Sequence, residues 1–340
     1  MNSPKIAIVG ATGAVGRVFL QLIEERAFPT SAIRLCASES SWGKKLSVND
    51  TALVVEEVTT KVLRDVDIVF IAAGSEVSRR IAPIAIDHKA LVIDKSSAFR
   101  MDEKVPLVVP EVNGDDLENH NGLIASPNCS TIPLVMVLKP LNNVIPIKRV
   151  VVDTYQSVSG AGSGAMVELR EQTENVLTGK PTTSQIHPHQ MAFNVLPHIE
   201  EFHSNGYTNE EMKMIHETRK ILHEPELSVS ATCVRVPVMI GHSEAAHIEF
   251  KEPADTDYVR DILSRAPGIK LLDDPSANVY PMPIEAAGND EVLVGRIRQD
   301  ESHHKGVAMW IAGDNLRKGA ALNAIQIAEE IVSMDLFSDR

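Results

Sequence analysis

Cysteine is scarce in this chain: three in 340 residues, Cys36, Cys129 and Cys233. They lie far apart and share no metal-ligand spacing, which excludes a disulfide framework and a cysteine-based metal site. Long apolar runs are missing too. None reaches the ~18–20 residues that would cross a bilayer, so no membrane partner is expected. Positive charge is short, with 33 Lys and Arg against 46 Asp and Glu and a formal net charge of −13. That deficit argues against nucleic acid as a partner, because phosphate backbones are bound by basic surfaces. It also means that an anionic substrate must be met by a few local arginines and lysines. No repeat, low-complexity tract or disordered tail interrupts the chain. The first residues, Met1-Asn2-Ser3-Pro4-Lys5, run straight into a strand-like segment without a signal-type leader, so a cytoplasmic location is expected.

What is present is enough apolar material for a large core, at 44%, in a length that suggests about two domains. Strand-like runs over 5–9, 32–37, 53–56, 68–72, 90–94, 107–109 and 122–125 alternate with helix-like runs over 13–25, 76–87 and 115–119. This βαβ rhythm predicts a doubly wound parallel sheet. After about residue 147 the character changes. Long β-branched runs at 149–157, 229–236, 245–250, 292–298 and 306–312 are separated by helical stretches at 164–177, 210–222 and 257–266. That grouping predicts an α+β domain with a mixed or antiparallel sheet. A last helix over 315–333 is expected to return to the first domain. The division expected is 1–128 plus 315–340 as one domain and 129–314 as the other.

Two local features carry chemistry. The first strand runs into Gly10-Ala11-Thr12-Gly13-Ala14-Val15-Gly16 and then a helix pattern. Glycine at 10, 13 and 16 is a variant of the Rossmann dinucleotide turn, with the helix N-terminus facing the phosphates. The candidate cofactor contacts here are Gly10, Thr12, Gly13, Ala14 and Val15. The second strand ends in Ser38-Glu39-Ser40-Ser41-Trp42-Gly43-Lys44-Lys45, where such a domain reads the adenosine ribose. Ser38, Ser40, Ser41 and the lysines suit the 2′-phosphate of NADP, while Glu39 suits the free 2′-hydroxyl of NAD. The other feature is Cys129, placed by Ser126-Pro127-Asn128-Cys129-Ser130-Thr131 at a strand-to-helix turn. Backbone N–H groups at a helix start favour a thiolate, so Cys129 is a candidate nucleophile. Cys36 and Cys233 sit in strand-like runs and read as small buried hydrophobes.

These segments resemble bacterial aspartate-β-semialdehyde dehydrogenases. The resemblance is carried by residues 9–16, Ile93-Asp94-Lys95-Ser96-Ser97-Ala98-Phe99-Arg100, Pro127-Asn128-Cys129-Ser130-Thr131, Thr154-Tyr155-Gln156-Ser157-Val158-Ser159-Gly160-Ala161-Gly162 and Ala192-Phe193-Asn194-Val195-Leu196-Pro197-His198. It continues through Arg235-Val236-Pro237, Gly241-His242-Ser243 and 314–321. The motifs keep their order over nearly the whole chain. The resemblance implies NADPH-dependent reduction of L-aspartyl 4-phosphate to L-aspartate 4-semialdehyde and phosphate. That step lies upstream of lysine (through diaminopimelate), methionine and threonine. It also implies a homodimer, with 1–128 plus 315–340 as the NAD(P)-binding domain and 129–314 as the catalytic and dimerisation domain.

The resemblance implies roles as well. Cys129 attacks the acyl phosphate and carries a thioester. Asn128 positions the substrate oxygen, and Gln156 orients the substrate or intermediate. His242 is the acid/base, singled out among twelve histidines by its position after Arg235. His187, His189, His198, His303 and His304 read instead as loop or surface residues. Arg235 binds the α-carboxylate as a fork. Arg100 and Lys213 form the phosphate site, and Glu210 takes the substrate ammonium. Ser159 and Gly160 touch the nicotinamide side of the cofactor, as does Asn315 at the start of the last helix. The family often has Arg-Ser where this chain has Ser40-Ser41, which removes a bidentate partner of the 2′-phosphate and leaves NAD open beside NADP.

One geometric condition follows. Seven extended residues reach ~23 Å, so Arg235 and His242 serve one small substrate only if the chain turns between them. Pro237 and Gly241 suit such a turn. The rival readings are N-acetyl-γ-glutamyl-phosphate reductase, whose family usually carries Gly-Cys-Tyr-Pro-Thr at the nucleophile, and glyceraldehyde-phosphate dehydrogenase, which usually has Ser-Cys-Thr-Thr-Asn. A silent nucleotide-binding homologue is the third, and joint retention of Cys129, Gln156, Arg235 and His242 argues against it.

Overall fold

A computed structural model describes residues 3–334 and 336. The chain divides into two compact units, residues 1–128 with 320–340, and residues 129–319.

The first unit begins with β1 (Lys5–Val9), α1 (Ala14–Glu25), β2 (Ala32–Cys36), β3 (Lys45–Val48) and β4 (Thr51–Glu56). It continues through α2 (Thr60–Arg64), β5 (Ile68–Ile71), α3 (Ser75–Asp87), β6 (Leu91–Asp94), α4 (Pro110–Asn113) and β7 (Leu123–Ala125). Its sheet has the order β3-β4-β2-β1-β5-β6-β7. All neighbours are parallel except the β3–β4 pair. β5 and β6 are buried at every position, as strands covered on both faces must be. α1 has no β-branched run and sets Phe19, Leu20, Leu22 and Ile23 on its buried side. Phe19 meets Phe70 of β5 with ring centroids 5.0 Å apart. Burying such a side chain contributes about 2–3 kcal/mol.

The second unit holds α5 (Thr131–Asn142), β8 (Ile147–Gln156), α6 (Ser163–Leu177), α7 (Asn209–Leu222), β9 (Ser228–Arg235), β10 (His242–Phe250) and α8 (Thr256–Ser264). β11 (Ile269–Leu271), α9 (Pro283–Ala286), β12 (Val292–Gln299) and β13 (Gly306–Gly313) complete it. The sheet order is β11-β12-β13-β10-β8-β9, mixed as the sequence predicts. β8 runs parallel to β9 and antiparallel to β10. Along β8, Val150, Val152, Thr154 and Gln156 are buried while Arg149 and Tyr155 are exposed. That period-two alternation puts one face inward. α5 is buried nearly all round, the pattern of an interior helix, and it begins two residues after Cys129. The chain then returns as α10 (Leu322–Ser333), whose Ile325, Ala328 and Ile331 join the first unit's core with Phe19, Ile23 and Phe70.

Four local expectations need correction. Leu107–Val109 is no strand; Leu107 makes one isolated bridge to Ala125, because Pro106 and Pro110 flank it and lack donors. Residues 114–119 form a 3-10 turn rather than an α-helix. β3 is an unforeseen hairpin strand, joined to β4 through Asn49 and Asp50, both at positive φ. The last helix does not start at 315: Asp314 accepts from the backbone N–H groups of Leu316 and Arg317, a π-helical turn spans Arg317–Ala321, and the α-helix starts at Leu322.

Candidate active site

In the first unit the glycine loop leaves β1 toward α1. The N–H groups of Gly10 and Ala11 both donate to the Cys36 carbonyl at 2.8 and 3.1 Å, which ties the loop to the end of β2. The three glycines are needed for different reasons. Gly10 has φ +92° and a Cβ there would lie 2.3 Å from the Ala72 carbonyl oxygen. A Cβ on Gly16 would lie 2.3 Å from the Gly10 oxygen. Gly13 has ordinary φ, and a Cβ there would meet nothing nearer than the Gly10 oxygen at 3.4 Å. The fold therefore does not require glycine at 13, whereas a phosphate resting on the helix start would. No side chain caps α1, and no acidic residue stands in its first turn, so the N–H groups of Ala14 and Val15 lie at an end suited to anions.

At the end of β2, Ser41 is buried, and its hydroxyl receives hydrogen bonds from Thr12 Oγ1 and Lys44 Nζ, both at 3.3 Å. Ser38 and Ser40 share a hydrogen bond of 3.1 Å and are exposed. Serines, Thr12 and a lysine thus gather beside the glycine loop. Arg100 is buried and donates from Nε to the Ser126 carbonyl at 3.0 Å and from Nη2 to the Lys95 carbonyl at 2.7 Å. It braces the segment that leads through buried Asn128 to Cys129.

In the second unit the site is a row of side chains at one end of the sheet. Gln156 ends β8 and pairs in register with Arg235, which ends β9. β10 begins with His242, one step beyond the Ser243–Tyr155 pair. The chain turns between Arg235 and His242 as the small-substrate reading requires, with Gly241 at φ +95°. A methyl group built on Gly160 would lie 2.8 Å from Arg235 Nη1 and 3.3 Å from His242 Nε2. Gly160 therefore stands between the two, a placement the sequence did not foresee.

His242 is buried, and its Nδ1 accepts the Ser157 backbone N–H at 3.0 Å. In the neutral ring the proton is then on Nε2. Asn315 holds this loop together. Its Oδ1 accepts from Ser157 Oγ, Ser159 Oγ and the Gly241 N–H, and its Nδ2 donates to Ser159 Oγ at 2.9 Å. Arg235 donates from Nη1 to the Ser157 carbonyl at 2.8 Å. Burial pushes its guanidinium below the ordinary range, and the charges of Glu210 and Cys129 oppose that shift. Cys129 thus lies within electrostatic reach of Arg235. It is partly exposed, while Cys36 and Cys233 are buried. Burial pushes the Cys36 thiol up to about 12, which disqualifies it as a nucleophile. Gly319 packs on Cys129: a Cβ there would lie 3.1 Å from the cysteine Cβ.

Glu210 lies at the start of α7 and is buried. Its Oε1 accepts from Gln156 Nε2 at 2.9 Å and its Oε2 from Lys213 Nζ at 3.1 Å. Lys213 also pairs with Glu200 at 2.6 Å. His187 corrects the surface reading: it is buried, with Nδ1 3.0 Å from Glu168 Oε1. The backbone carried that signal, since Glu168 also collects the N–H groups of Gln185, Ile186 and His187. Sequence reasoning also missed Thr154, Glu200 and Gly319. Thr154 was findable as the i−2 neighbour of Gln156 on the same strand face; the other two depend on tertiary approach.

Residues 5–120 match the semialdehyde dehydrogenase NAD binding domain, and residues 138–318 match the semialdehyde dehydrogenase dimerisation domain. The chain is 51% identical over 328 residues to the aspartate-semialdehyde dehydrogenase of Prochlorococcus marinus, covering 96% of each. The chain belongs to the semialdehyde dehydrogenase family. Its fold matches the crystal structure of aspartate semialdehyde dehydrogenase II from Vibrio cholerae complexed with ASA, with TM-score 0.95 and 45% identity over 98% of this chain and 99% of that one. It also matches a Candida albicans aspartate semialdehyde dehydrogenase with NADP, with TM-score 0.77 and 27% identity over 98% and 100%. Membership makes the protein an aldehyde dehydrogenase that uses a nicotinamide cofactor. Among the described residues no helix is long and apolar enough to cross a membrane, and no group of three or more His, Cys, Asp or Glu could hold a metal ion.

Proposed function

We infer that the protein catalyses the reversible, NADP-linked conversion of L-aspartyl 4-phosphate to L-aspartate 4-semialdehyde and phosphate. The observation that carries this reading is the row Arg235–Gln156–His242 at one sheet end, within electrostatic reach of the partly exposed Cys129 thiol. Relatives with the matching name support the substrate.

The Cys129 sulfur attacks the acyl carbon, and the C–O bond to phosphate breaks, leaving a thioester. A nicotinamide cofactor held at the glycine loop would supply the hydride in this direction and would take it in the other. His242, with its proton on Nε2, gives a hydrogen bond to the oxyanion that forms as hydride reaches the thioester carbon. That oxyanion collapses as the C–S bond breaks, releasing the aldehyde and restoring the Cys129 thiolate. This tautomer makes His242 a hydrogen-bond donor at Nε2, rather than the base that first deprotonates the thiol. Asn128 and the Cys129 N–H stabilise the substrate oxygen. Arg235 forks the α-carboxylate, and its desolvated guanidinium gains most from that anion. Glu210 takes the ammonium, since a carboxylate already bonded to Gln156 and Lys213 keeps further lone pairs. Lys213 and Arg100 serve phosphate, with the exposed Glu200 giving way at Lys213.

Gly10, Thr12, Gly13, Ala14 and Val15 would hold the pyrophosphate, and Ser38, Ser40, Ser41 and Lys44, gathered at the end of β2, would suit the 2′-phosphate. Ser159, Gly160 and Asn315 would serve the nicotinamide side. A second copy of the chain pairs through the face of the six-stranded sheet that exposes Tyr155, whose ring lies 5.1 Å from that of Trp310. A reduced nucleophilic thiol fits the cytoplasm.

Purified protein given aspartate semialdehyde, phosphate and NADP should raise absorbance at 340 nm, and NAD run beside it reads selectivity. No rise with either cofactor rejects the reading.

A further inference from the structure

Gln156 is an amide whose two ends differ chemically, so its usefulness depends on which end faces the substrate. Its surroundings are polarised. Gln156 Nε2 donates to Glu210 Oε1 at 2.9 Å, and the Thr154 hydroxyl donates to Gln156 Oε1 at 2.9 Å. Thr154 is wholly buried, two residues earlier on β8 and on the same face. On its other side it pairs in register with Cys233 of β9. An amide oxygen only accepts, so the hydroxyl turns its own proton toward it. Reversing the amide would set its oxygen 2.9 Å from the Glu210 carboxylate, which Lys213 holds as an acceptor. It would also turn an N–H on the threonine.

We propose that Thr154 is a positioning residue, fixing the direction of the Gln156 amide through a one-way hydrogen-bond chain from the Thr154 hydroxyl through Gln156 to Glu210. The proposal rests on the reading of Gln156 as the substrate-orienting side chain. Thr154 touches no substrate; it acts through Gln156. Valine keeps its shape and loses its hydroxyl, and serine keeps the hydroxyl.

The test is a double-mutant cycle on the full chain, read as kcat and KM with the melting temperature and the alkylation rate of Cys129 as controls. Thr154→Val is expected to lower kcat/KM about tenfold, a factor suited to one lost hydrogen bond in the transition state. The fall should appear mainly in kcat, with Cys129 alkylation unchanged. Thr154→Ser should recover activity to within about twofold. In a Gln156→Ala background, which by itself costs more, Thr154→Val should change nothing further. Full activity of Thr154→Val, an equal loss in both backgrounds, or a serine variant as poor as the valine one overturns the proposal. Full activity of Gln156→Ala overturns the reading of Gln156 itself, and the proposal with it.

Discussion

The glycine loop and the sheet-end row are built from different materials. In the loop, the groups offered to a ligand are backbone N–H groups, and the sequence contributes by withholding Cβ atoms at 10, 13 and 16. In the row, side chains from the ends of three strands supply the polar groups, and the sheet contributes register. A one-residue slip of β8 would turn Gln156 to the opposite face and bring Tyr155 into its place. A backbone site is therefore damaged by adding atoms, and a side-chain site by removing them. The loop also separates folding from binding within seven residues. Gly10 and Gly16 serve the fold, whereas the fold leaves Gly13 free for the proposed ligand role.

That contrast can be tested in order of expected effect. Cys129→Ala should lower turnover at least about a thousandfold, since it removes the nucleophile, while cofactor affinity by titration stays at the parent value. A parallel loss of cofactor affinity would show that the two sites are not separately built. Gly10→Ala should destabilise the protein by about 3 kcal/mol or more in denaturant unfolding, because its Cβ would overlap the Ala72 carbonyl at positive φ. Gly13→Ala should leave that unfolding midpoint in place and weaken cofactor binding about tenfold. The reverse pattern would erase the division of labour among the glycines. Ser40→Arg should raise the NADP-over-NAD preference about tenfold by giving the 2′-phosphate a fork, read from kcat/KM for the two cofactors.

The smallest effect lies outside both sites, at Glu168. Burial raises its carboxyl, but the N–H groups of Ile186 and Gln185 and the His187 ring outweigh this, so its folded pKa is below the ordinary 4.5. A depressed folded pKa stabilises above the unfolded value, and that stability is lost as pH falls through the folded one. Glu168→Gln should therefore cost about 1–2 kcal/mol at pH 7, and the gap to the parent should close in acid below the ordinary carboxylate range. A gap that is constant with pH would contradict the assignment.

Legibility in the sequence followed the same contrast. The parallel unit could be read because buried strands and a glycine turn are local signals, and the mixed sheet because β-branched runs are. The place of Cys129 just before α5 was legible from its turn, and the turn between Arg235 and His242 from the condition that both meet one small substrate. The tautomer of His242 was not legible, since it depends on the Ser157 N–H across the sheet. Nor was the insertion of Gly160 between Arg235 and His242. Lys213 was expected as a phosphate group, and its two carboxylate partners come from a helix turn and a distant loop. The late start of α10 was hidden because Asp314 and the close approach of Gly319 to Cys129 override a helical pattern.

The central claim is that Cys129 carries the acyl group. Protein incubated with L-aspartate 4-semialdehyde and NADP without phosphate, quenched in acid and digested, should show an aspartyl thioester by mass on the peptide containing Cys129, and added phosphate should discharge it. An unmodified Cys129 in a protein that turns over when phosphate is present, or an adduct on Cys36 or Cys233 instead, would contradict the account.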